Sequence, residues 1–405
     1  MATEILLLGD LILDVPEPDH WLAGIAPWTR AADVVIGHVE VPYTTSTDEL
    51  KGDVPAPGAD PAHLDALARA GFTAVSLASN HMMDCGPAGL SETIAGLERN
   101  GIAHAGAGPN LAAARVPALI DAGGRRIALL SYNCVGPEAS WAAEDKAGCA
   151  YVRVFATDGG PSRPQADLAE IDPASLDAMR ADIAAARARA DLVVVALHKG
   201  VTHRPAELAP YERPLAQAAV EAGADVVVGH HAHIVRGIEF HRGKPIFHGL
   251  GNGVVVTHAL SPAQDHPARA EWAERRKRMF GFEPDPAYPL APFHPEAVNG
   301  MIGRLEWRED GSLAAGFLPT WSEPPGRPVP AGSRAQAVAD YIAAITRRAG
   351  LPPLRIADEG EGRFALWTLM HMLGAAPDLD LAFAEEADRQ AARQFMDLLD
   401  RAQDG

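Results

Sequence analysis

Residues 223–237, with the sequence GADVVVGHHAHIVRG, carry the pattern that decides our interpretation of the fold. Residues 224–228 form a short, largely apolar run after a helix-ending glycine, which predicts a buried strand. His230, His231 and His233 follow where that strand ends, and ligands of α/β sheets bind at the carboxyl ends of strands. A lone histidine is more often a packed core or loop residue, but three within four residues favour a functional site.

The composition indicates a globular protein with a full core. The chain has 405 residues, 47% of them hydrophobic, which is enough for one large domain with appendages or for two domains. Its 35 Lys and Arg against 53 Asp and Glu give a net charge of -18. This charge argues against nucleic-acid and anionic-membrane partners, so we expect neither, and it suits a site that concentrates cations.

Cysteine usage and the start of the chain predict a cytoplasmic protein. Cys85, Cys134 and Cys149 are odd in number and form no C-x-x-C pair, so we expect reduced thiols. The chain passes from Met1 directly into a predicted strand at residues 5–8, without a basic segment or a long apolar segment. No later stretch approaches 18 uninterrupted apolar residues, and we therefore expect a soluble protein without a membrane anchor.

Predicted strands and helices alternate along the chain as far as residues 223–237. This alternation predicts a layered α/β sheet with helices on its faces. Candidate ligands stand at five of the predicted strand ends: Asp10; His38 with Glu40; Asn80 with His81; His198; and His231 with His233. Each alone is weak, and Asp10 could equally cap a turn. Together they would supply carboxylates, an amide and imidazoles from one edge of one sheet. That set suits two divalent metal ions bridged by a carboxylate, which activate water for hydrolysis.

Five segments in this order resemble the CapA family, named for poly-γ-glutamate capsule synthesis proteins, which belongs to the calcineurin-like metallophosphatase superfamily. The segments are residues 9–10 (GD), 38–42 (HVEVP), 79–86 (SNHMMDCG), 198–200 (HKG) and 229–233 (GHHAH). The resemblance extends over roughly residues 4–320. It implies an α/β fold, namely a layered metallophosphatase-like β-sandwich flanked by helices.

The same resemblance implies which residues hold metal. Glu40 would bridge two ions, and the other ligands divide into Asp10 and His233 for one ion and Asn80, His198 and His231 for the other. This mixed nitrogen and oxygen set would accept one or two divalent ions of Mn, Fe or Zn, with Mg less suited to the imidazoles.

Two further residues receive roles in catalysis from the resemblance. His81 would donate a proton to the leaving group or stabilise its developing charge. Asp84 would orient His81, although a helix cap is an equally good interpretation of this residue. His230 is expected to lie outside the ligand set.

The sequence departs from the family pattern at several positions. The superfamily usually has a histidine ligand where this chain has Ile12, and the family usually has Asn where this chain has His38. His38 and Glu40 share a strand face, so one hypothesis is that His38 replaces the missing ligand of the Asp10 ion. The alternative is that His38 packs behind the ligands. Other departures are Lys199, Thr202 and the pair His248-Gly249.

The domain organisation follows from the motifs and from composition. We predict a catalytic domain over residues 1–325 and a C-terminal helical extension over residues 326–405. The domain would carry insertions at about residues 136–170 and 258–300, and the extension would contain helices at residues 334–348, 363–373 and 381–402 after a linker at residues 324–330. A basic helix at residues 269–279 is either a solvated face or part of a lid over an anionic substrate. The last helix would pack on the body or on a second subunit, which suits a homo-oligomer.

Three functions remain open from the sequence. The first is a metal-dependent hydrolase that cleaves an amide, of a γ-glutamyl kind, in a small soluble substrate. The second is a metal-dependent phosphoesterase, and the third is a non-catalytic component of capsule polyglutamate assembly. The substrate is expected to be a small anionic molecule.

Overall fold

Two β-sheets face each other in the computed structural model of the protein, which describes residues 2–50, 56–260 and 265–368. The strands within these ranges are β1 (Thr3–Asp14), β2 (Val34–Val39), β3 (Ala74–Ser76), β4 (Ala103–Ala105), β5 (Ala107–Gly108), β6 (Ala118–Ala122), β7 (Arg125–Asn133), β8 (Gly148–Cys149), β9 (Val154–Ala156), β10 (Leu168–Ile171), β11 (Leu192–His198), β12 (Val226–His230), β13 (Ile238–His241), β14 (Lys244–Phe247), β15 (Asn252–Thr257), β16 (Asn299–Trp307), β17 (Leu313–Glu323), β18 (Arg327–Pro330), β19 (Leu354–Gly360) and β20 (Arg363–Thr368).

The helices lie between these strands. The α-helices are α1 (Pro18–Leu22), α2 (Ala26–Ala31), α3 (Leu64–Arg69), α4 (Gly86–Arg99), α5 (Leu111–Ala114), α6 (Pro173–Arg187), α7 (Glu212–Glu221), α8 (Pro267–Phe280) and α9 (Ala335–Arg348). Short 3-10 turns occur at Pro61–His63, Glu138–Ser140, Pro295–Val298 and Gly332–Arg334. In the described part of the chain, no helix is both long and apolar enough to cross a membrane.

The larger sheet has the strand order β19-β20-β17-β16-β1-β2-β3-β4, with β15 pairing β1 and β18 pairing β17. The first strand of the chain, β1, runs parallel to β2 and β15 and antiparallel to β16. The smaller sheet has the order β13-β14-β12-β11-β7-β6, in which β7, β11, β12 and β14 are parallel. The carboxyl ends of the parallel strands in both sheets carry the residues of interest.

Alternate residues of the central strands face different layers. Ile5 of β1 and Val194 of β11 belong to one buried cluster, which fills the space between the two sheets. Leu6 packs with the apolar residues of α1, α3 and α4, and Val193 packs with those of α6 and α7. Both faces of each sheet are therefore covered, which explains why the strands read as continuous apolar runs. The predicted layered β-sandwich flanked by helices is confirmed.

The C-terminal extension differs from the prediction over its first part. The predicted linker at residues 324–330 contains strand β18, and the predicted helix at residues 363–373 is strand β20 over its described residues. Strand β20 pairs with β17, where the ring of Phe364 stacks on that of Phe317 at 5.3 Å, and Gly316 lets the backbone of Phe364 approach closely. The prediction failed because pairing with an available strand edge overrides a helical apolar pattern. The helix at residues 334–348 matches α9, and the one at residues 381–402 lies outside the described residues.

The two predicted insertions contain defined elements. Residues 136–170 include β8, β9 and β10, and residues 258–300 include α8, which matches the basic helix predicted at residues 269–279. Helix α8 ends at Gly281, whose φ of 74° a glycine adopts without strain. The division into a domain of residues 1–325 and an extension of residues 326–405 stays a prediction.

Candidate metal centre

Asp10 occupies an irregular position in β1 rather than the end of a short strand. The strand continues to Asp14, and its register against both parallel neighbours shifts at Asp10. The backbone of β1 passes so close to Gly251 that Gly9 leaves no space for a Cβ atom there. Such a bulge redirects a side chain out of the regular ladder, and it lets the Asp10 carboxylate enter the site from within the strand.

The candidate ligands come from two sheets, whereas the sequence predicted one edge of one sheet. Asp10, Glu40 and Asn80 lie in or just after strands of the larger sheet, and His198, His231 and His233 lie in or just after strands of the smaller one. The two sets meet because the sheets are packed face to face with these strand ends on the same side. A sequence pattern of strand ends cannot distinguish this arrangement from a single sheet, since both place the ends together.

Two groups of side chains offer ligand atoms that all lie within 4.8 Å of one another. One group is Glu40, His198 and His231, and the other is Asp10, Glu40 and His233. Glu40 is common to both, which is the division that the family resemblance implies. Asn80 joins the first group, because its Oδ1 lies 2.7 Å from His198 Nε2. The structure therefore brings together all the metal ligands predicted by the resemblance, and their roles as ligands stay a prediction.

The two carboxylates fit a cation. All four carboxylate oxygens of Asp10 and Glu40 are buried, and among the described residues none of them accepts a hydrogen bond. His233 lies close to both carboxylates, with Nε2 3.4 Å from Glu40 Oε1 and Nδ1 3.3 Å from Asp10 Oδ2. Buried carboxylates without donors are costly unless a positive charge compensates them. The donor set therefore fits one or two divalent ions.

The ionisation of this cluster depends on its burial. Burial, and then the charge of Glu40, raise the pKa of Asp10 to about 7. Burial acts to raise the pKa of Glu40 as well, but the charge and contact of His233 outweigh it and lower that pKa to about 2. Burial acts to lower the pKa of His233, and the charge of Glu40 reverses this and raises it to about 9. Protons thus hold the cluster near neutrality, and a divalent cation would take their place.

The imidazoles of His38, His198 and His230 are held in the neutral form. Burial is the largest cause in each case: it lowers the pKa of His198 well below its usual range and that of His230 to about 3. Neutral imidazole is the ligand state of histidine.

The loop that carries His231 and His233 has an unusual backbone. Both residues adopt left-handed backbone conformations, with φ of 85° and 53°. Such values are uncommon outside glycine and cluster at functional sites. This backbone sends the two rings into different ligand groups rather than to one point.

The contacts of His38 favour the alternative that it packs behind the ligands, and its replacement of the ligand missing at Ile12 stays a prediction. Its Nδ1 lies 2.8 Å from Ser76 Oγ and its Nε2 lies 2.9 Å from His198 Nδ1. Both ring nitrogens are thus used, and His38 belongs to neither candidate ligand group. The spacing of His38 and Glu40 correctly predicted that they share a strand face, but it did not predict the direction of the His38 ring. His38 instead holds the ring of His198, which leaves His198 Nε2 directed at Asn80 and the site.

We expect His38→Asn to weaken metal binding by about 10–100-fold, because His198 loses the group that orients it. Isothermal titration of the metal-free protein would measure this, with His104→Asn as a control on the distant strand β4. Occupancy should recover at high metal concentration. Permanent loss of one ion in His38→Asn alone would contradict this role.

His230 is closer to the centre than the sequence indicated. Its Nδ1 lies 3.2 Å from Asp10 Oδ1, and neither atom makes a hydrogen bond within the described ranges. Its ring also stacks on that of His38 at 4.3 Å. The signal was present in the sequence, since His230 is the first of three histidines at one strand end, but the family pattern directed attention to the later two.

His81 and Asp84 form a pair at the edge of the centre. His81 Nδ1 lies 2.6 Å from Asp84 Oδ2, which also accepts a hydrogen bond from the backbone N–H of Ala56. Asp84 does not cap α4, because Cys85 holds that position and no side chain caps the helix there. Of the two interpretations that the sequence allowed, the structure favours the one in which the Asp84 carboxylate orients the ring of His81.

A buried charge network lies directly behind His198. Lys199 Nζ lies 2.8 Å from Glu212 Oε2 and 3.2 Å from His248 Nδ1, and Arg236 contacts the other oxygen of Glu212 at 3.1 Å. Burial lowers the pKa of Lys199. Lys199 and His248 are two of the departures from the family pattern, and their contact shows that these departures belong together. The network fixes the start of the loop that follows His198.

We expect Glu212→Gln to lower the free energy of unfolding by about 3–5 kcal/mol, because Lys199 and Arg236 would remain buried without a counter-charge. Urea unfolding monitored by circular dichroism would measure the loss. The exposed Glu221, which pairs with His241 and Arg242 on the surface, provides a matched control, and Glu221→Gln should leave stability nearly unchanged. Equal stability of the two variants would show that the network is not stabilised by Glu212.

A cavity of about 530 Å³ opens onto the centre. It is lined by Asn80, His81, His231 and His233, by residues of both insertions, and by Arg204 and Arg269. Cavities of this size hold small ligands. Both insertions therefore contribute to the wall of this cavity.

Two facing sheets covered by helices, with carboxylates and imidazoles gathered at their shared edge, define a metallophosphatase-like α/β protein. The sequence pattern described as "Bacterial capsule synthesis protein PGA_cap" matches residues 4–256, more than half of the chain. The chain belongs to this family.

Individual relatives show more limited similarity. A probable polyglutamine synthesis accessory protein of Mycobacterium tuberculosis is 36% identical over 183 residues, 44% of each chain. The capsule biosynthesis protein CapA of Bacillus anthracis is 29% identical over 241 residues, 58% of this chain and 54% of that protein. The chain thus spans about half the length of the curated relatives it matches. A calcineurin-like phosphoesterase from Bacillus subtilis superposes with a TM-score of 0.36 at 11% identity, over 84% of this chain and 98% of that one.

Proposed function

We propose that the protein is a metal-dependent hydrolase that cleaves an amide bond, of a γ-glutamyl kind, in a small anionic substrate. The observation that carries the proposal is the pair of buried carboxylates, Asp10 and Glu40, whose oxygens accept no hydrogen bond among the described residues. They are gathered with the imidazoles of His198, His231 and His233. The relatives named for capsule and polyglutamine synthesis support the choice of a glutamyl amide.

One or two divalent ions of Mn, Fe or Zn would polarise the substrate carbonyl and activate water. Glu40 would hold them together, with Asp10 and His233 on one side and Asn80, His198 and His231 on the other. Burial excludes bulk water from these side chains, which strengthens their interactions with charge.

The other residues act on the substrate. The oxygen of water adds to the carbonyl carbon, the C–N bond breaks, and the products are a carboxylic acid and an amine. His81, held by Asp84, donates the proton that the leaving nitrogen requires. Arg204 and Arg269 line the same cavity, which supports an anionic substrate.

A phosphoesterase is the second candidate. The same arginines and the His81–Asp84 pair would serve a phosphate monoester, whose leaving oxygen also requires a proton. A non-catalytic role in capsule assembly is the third, and the printed names of the relatives describe synthesis or accessory proteins.

The test compares metal-loaded protein on γ-glutamyl p-nitroanilide and p-nitrophenyl phosphate, with Glu40→Gln as the inactive control. We expect turnover of the anilide that requires added Mn, Fe or Zn and disappears in Glu40→Gln. Turnover of the phosphate alone would establish the phosphoesterase. Inertness toward both substrates, together with no bound metal, would favour the non-catalytic role.

We also infer a cytoplasmic location and a small-molecule partner rather than nucleic acid or membrane. The three cysteines are buried and form no disulfide, which supports a reducing compartment. The net charge of -18 disfavours polyanionic partners. A homo-oligomer formed through the C-terminal helices stays a proposal that size-exclusion chromatography with light scattering would test.

A further inference from the structure

One wall of the cavity is formed by apolar side chains from the insertion at residues 258–300. Trp272, Met279 and Phe280 of α8 and Phe293 after it line the same space as His81 and His233. From the sequence alone, this helix had two interpretations, a solvated face or part of a lid. Its side chains at the cavity mouth favour the second interpretation.

The apolar wall begins directly at the metal centre. The ring of Phe293 stacks on that of His233 at 4.8 Å with an interplanar angle of 25°. His203 lies beside both, with its ring 6.0 Å from His233, and Phe280 meets His203 edge-on at 4.6 Å. The backbone N–H of His203 donates to the carbonyl of Ala232, between the two histidine ligands of the loop. Aromatic rings thus continue from the centre to the insertion without interruption.

This wall retains surface that a ligand would cover. Trp272 and Phe280 are only partly buried, and Met279 is 36% exposed. Partly exposed aromatic side chains that face a cavity next to a reactive centre are typical of a subsite for an apolar group. Aromatic walls bind another ring well, because edge-to-face and offset contacts match their charge distribution.

We propose that the cavity binds a substrate whose leaving group carries a planar apolar ring, seated against Trp272, Met279 and Phe280. His81, the proposed proton donor, lines the same cavity as this wall, and the proposal therefore places the ring on the leaving group. The inference rests on the proposed hydrolase function and specifies its substrate class.

The test measures kcat/KM of the metal-loaded full chain on four substrates: γ-glutamyl benzylamide, γ-glutamyl methylamide, benzyl phosphate and methyl phosphate. Each pair shares its reacting bond and differs in the ring. We expect the benzyl member of the hydrolysed pair to be preferred by about tenfold or more, since an apolar subsite discriminates by such factors.

Phe280→Ala should bring this ratio close to one, and the milder Trp272→Leu should lower it. Phe240→Ala is the matched control, because Phe240 is also partly buried but lies on β13 and does not line the cavity. The control should keep the wild-type ratio. Thermal unfolding and metal content show that each variant is folded, and the wild-type ratio alone already tests the proposal if a variant fails to fold.

Two failures are distinguishable. Turnover without a benzyl preference overturns the ring subsite and leaves the hydrolase function intact. Absence of turnover on all four substrates overturns the hydrolase function, and calorimetric binding of benzylphosphonate against methylphosphonate then decides the subsite. Tighter benzylphosphonate binding by about tenfold, lost in Phe280→Ala, supports it, and equal binding overturns it.

Discussion

Turnover should fall by about 10²-fold or more in His81→Ala while the metal content stays unchanged, as expected when a general acid is removed from an intact centre. His81 belongs to neither candidate ligand group and its Nδ1 contacts Asp84, so its loss should leave the metal ligands in place. Steady-state kinetics on a substrate with a poor leaving group, combined with metal analysis, measures both quantities.

Asp84→Asn provides the matched comparison, because it keeps the shape of the carboxylate and removes its charge. We expect a smaller loss of turnover than in His81→Ala, since the ring remains but is held less firmly. A substrate with a good leaving group should suppress both effects, because it needs no proton. An unchanged kcat for His81→Ala on the poor leaving group would remove His81 from the mechanism.

Metal content should fall in His231→Ala and in His233→Ala. Each variant removes one nitrogen from a different candidate group, and the affinity loss should exceed the roughly 100-fold that loss of an outer partner can cause. Metal analysis after dialysis, together with calorimetric titration, measures the remaining occupancy.

The control for these variants is His241→Ala, a histidine of β13 that pairs with Glu221 at the surface. It should retain the wild-type metal content. His233→Ala also removes the imidazole that lies near both carboxylates, with Nδ1 3.3 Å from Asp10 Oδ2 and Nε2 3.4 Å from Glu40 Oε1. Wild-type metal content in both His231→Ala and His233→Ala would contradict the assignment of the metal centre.

The sequence predicted the central fold well because apolar strands buried on both faces leave an unmistakable pattern. Residues 224–228 and the strand before His198 read directly as buried strands, and both occur in the smaller sheet. The C-terminal extension was predicted less well. Strand β20 exists because β17 offers an edge and Phe317 offers a stacking partner, and neither is visible from residues 363–368 alone.

The candidate centre was predicted as a set of residues but not as an arrangement. Residue types and strand ends sufficed to select Asp10, Glu40 and the histidines. The direction of a ring depends on the hydrogen bonds it makes, and the contacts of His38 with Ser76 and His198 join strands far apart in the chain. The family pattern does not include His230, so its position near Asp10 was not predicted. That position depends on how the two sheets pack.

The candidate ligands come from two sheets, and this has a consequence for how the protein folds. Asp10 and His233 stand more than two hundred positions apart in the sequence, and they meet only when the sheets have docked. An ion held there binds the docked state and not the separated halves, so it stabilises by about 4 kcal/mol at a concentration 1,000 times its dissociation constant. The ion would therefore stabilise the docked arrangement of the two sheets. Removal of the ion by a chelator should make the sandwich unfold at lower temperature and with less cooperativity.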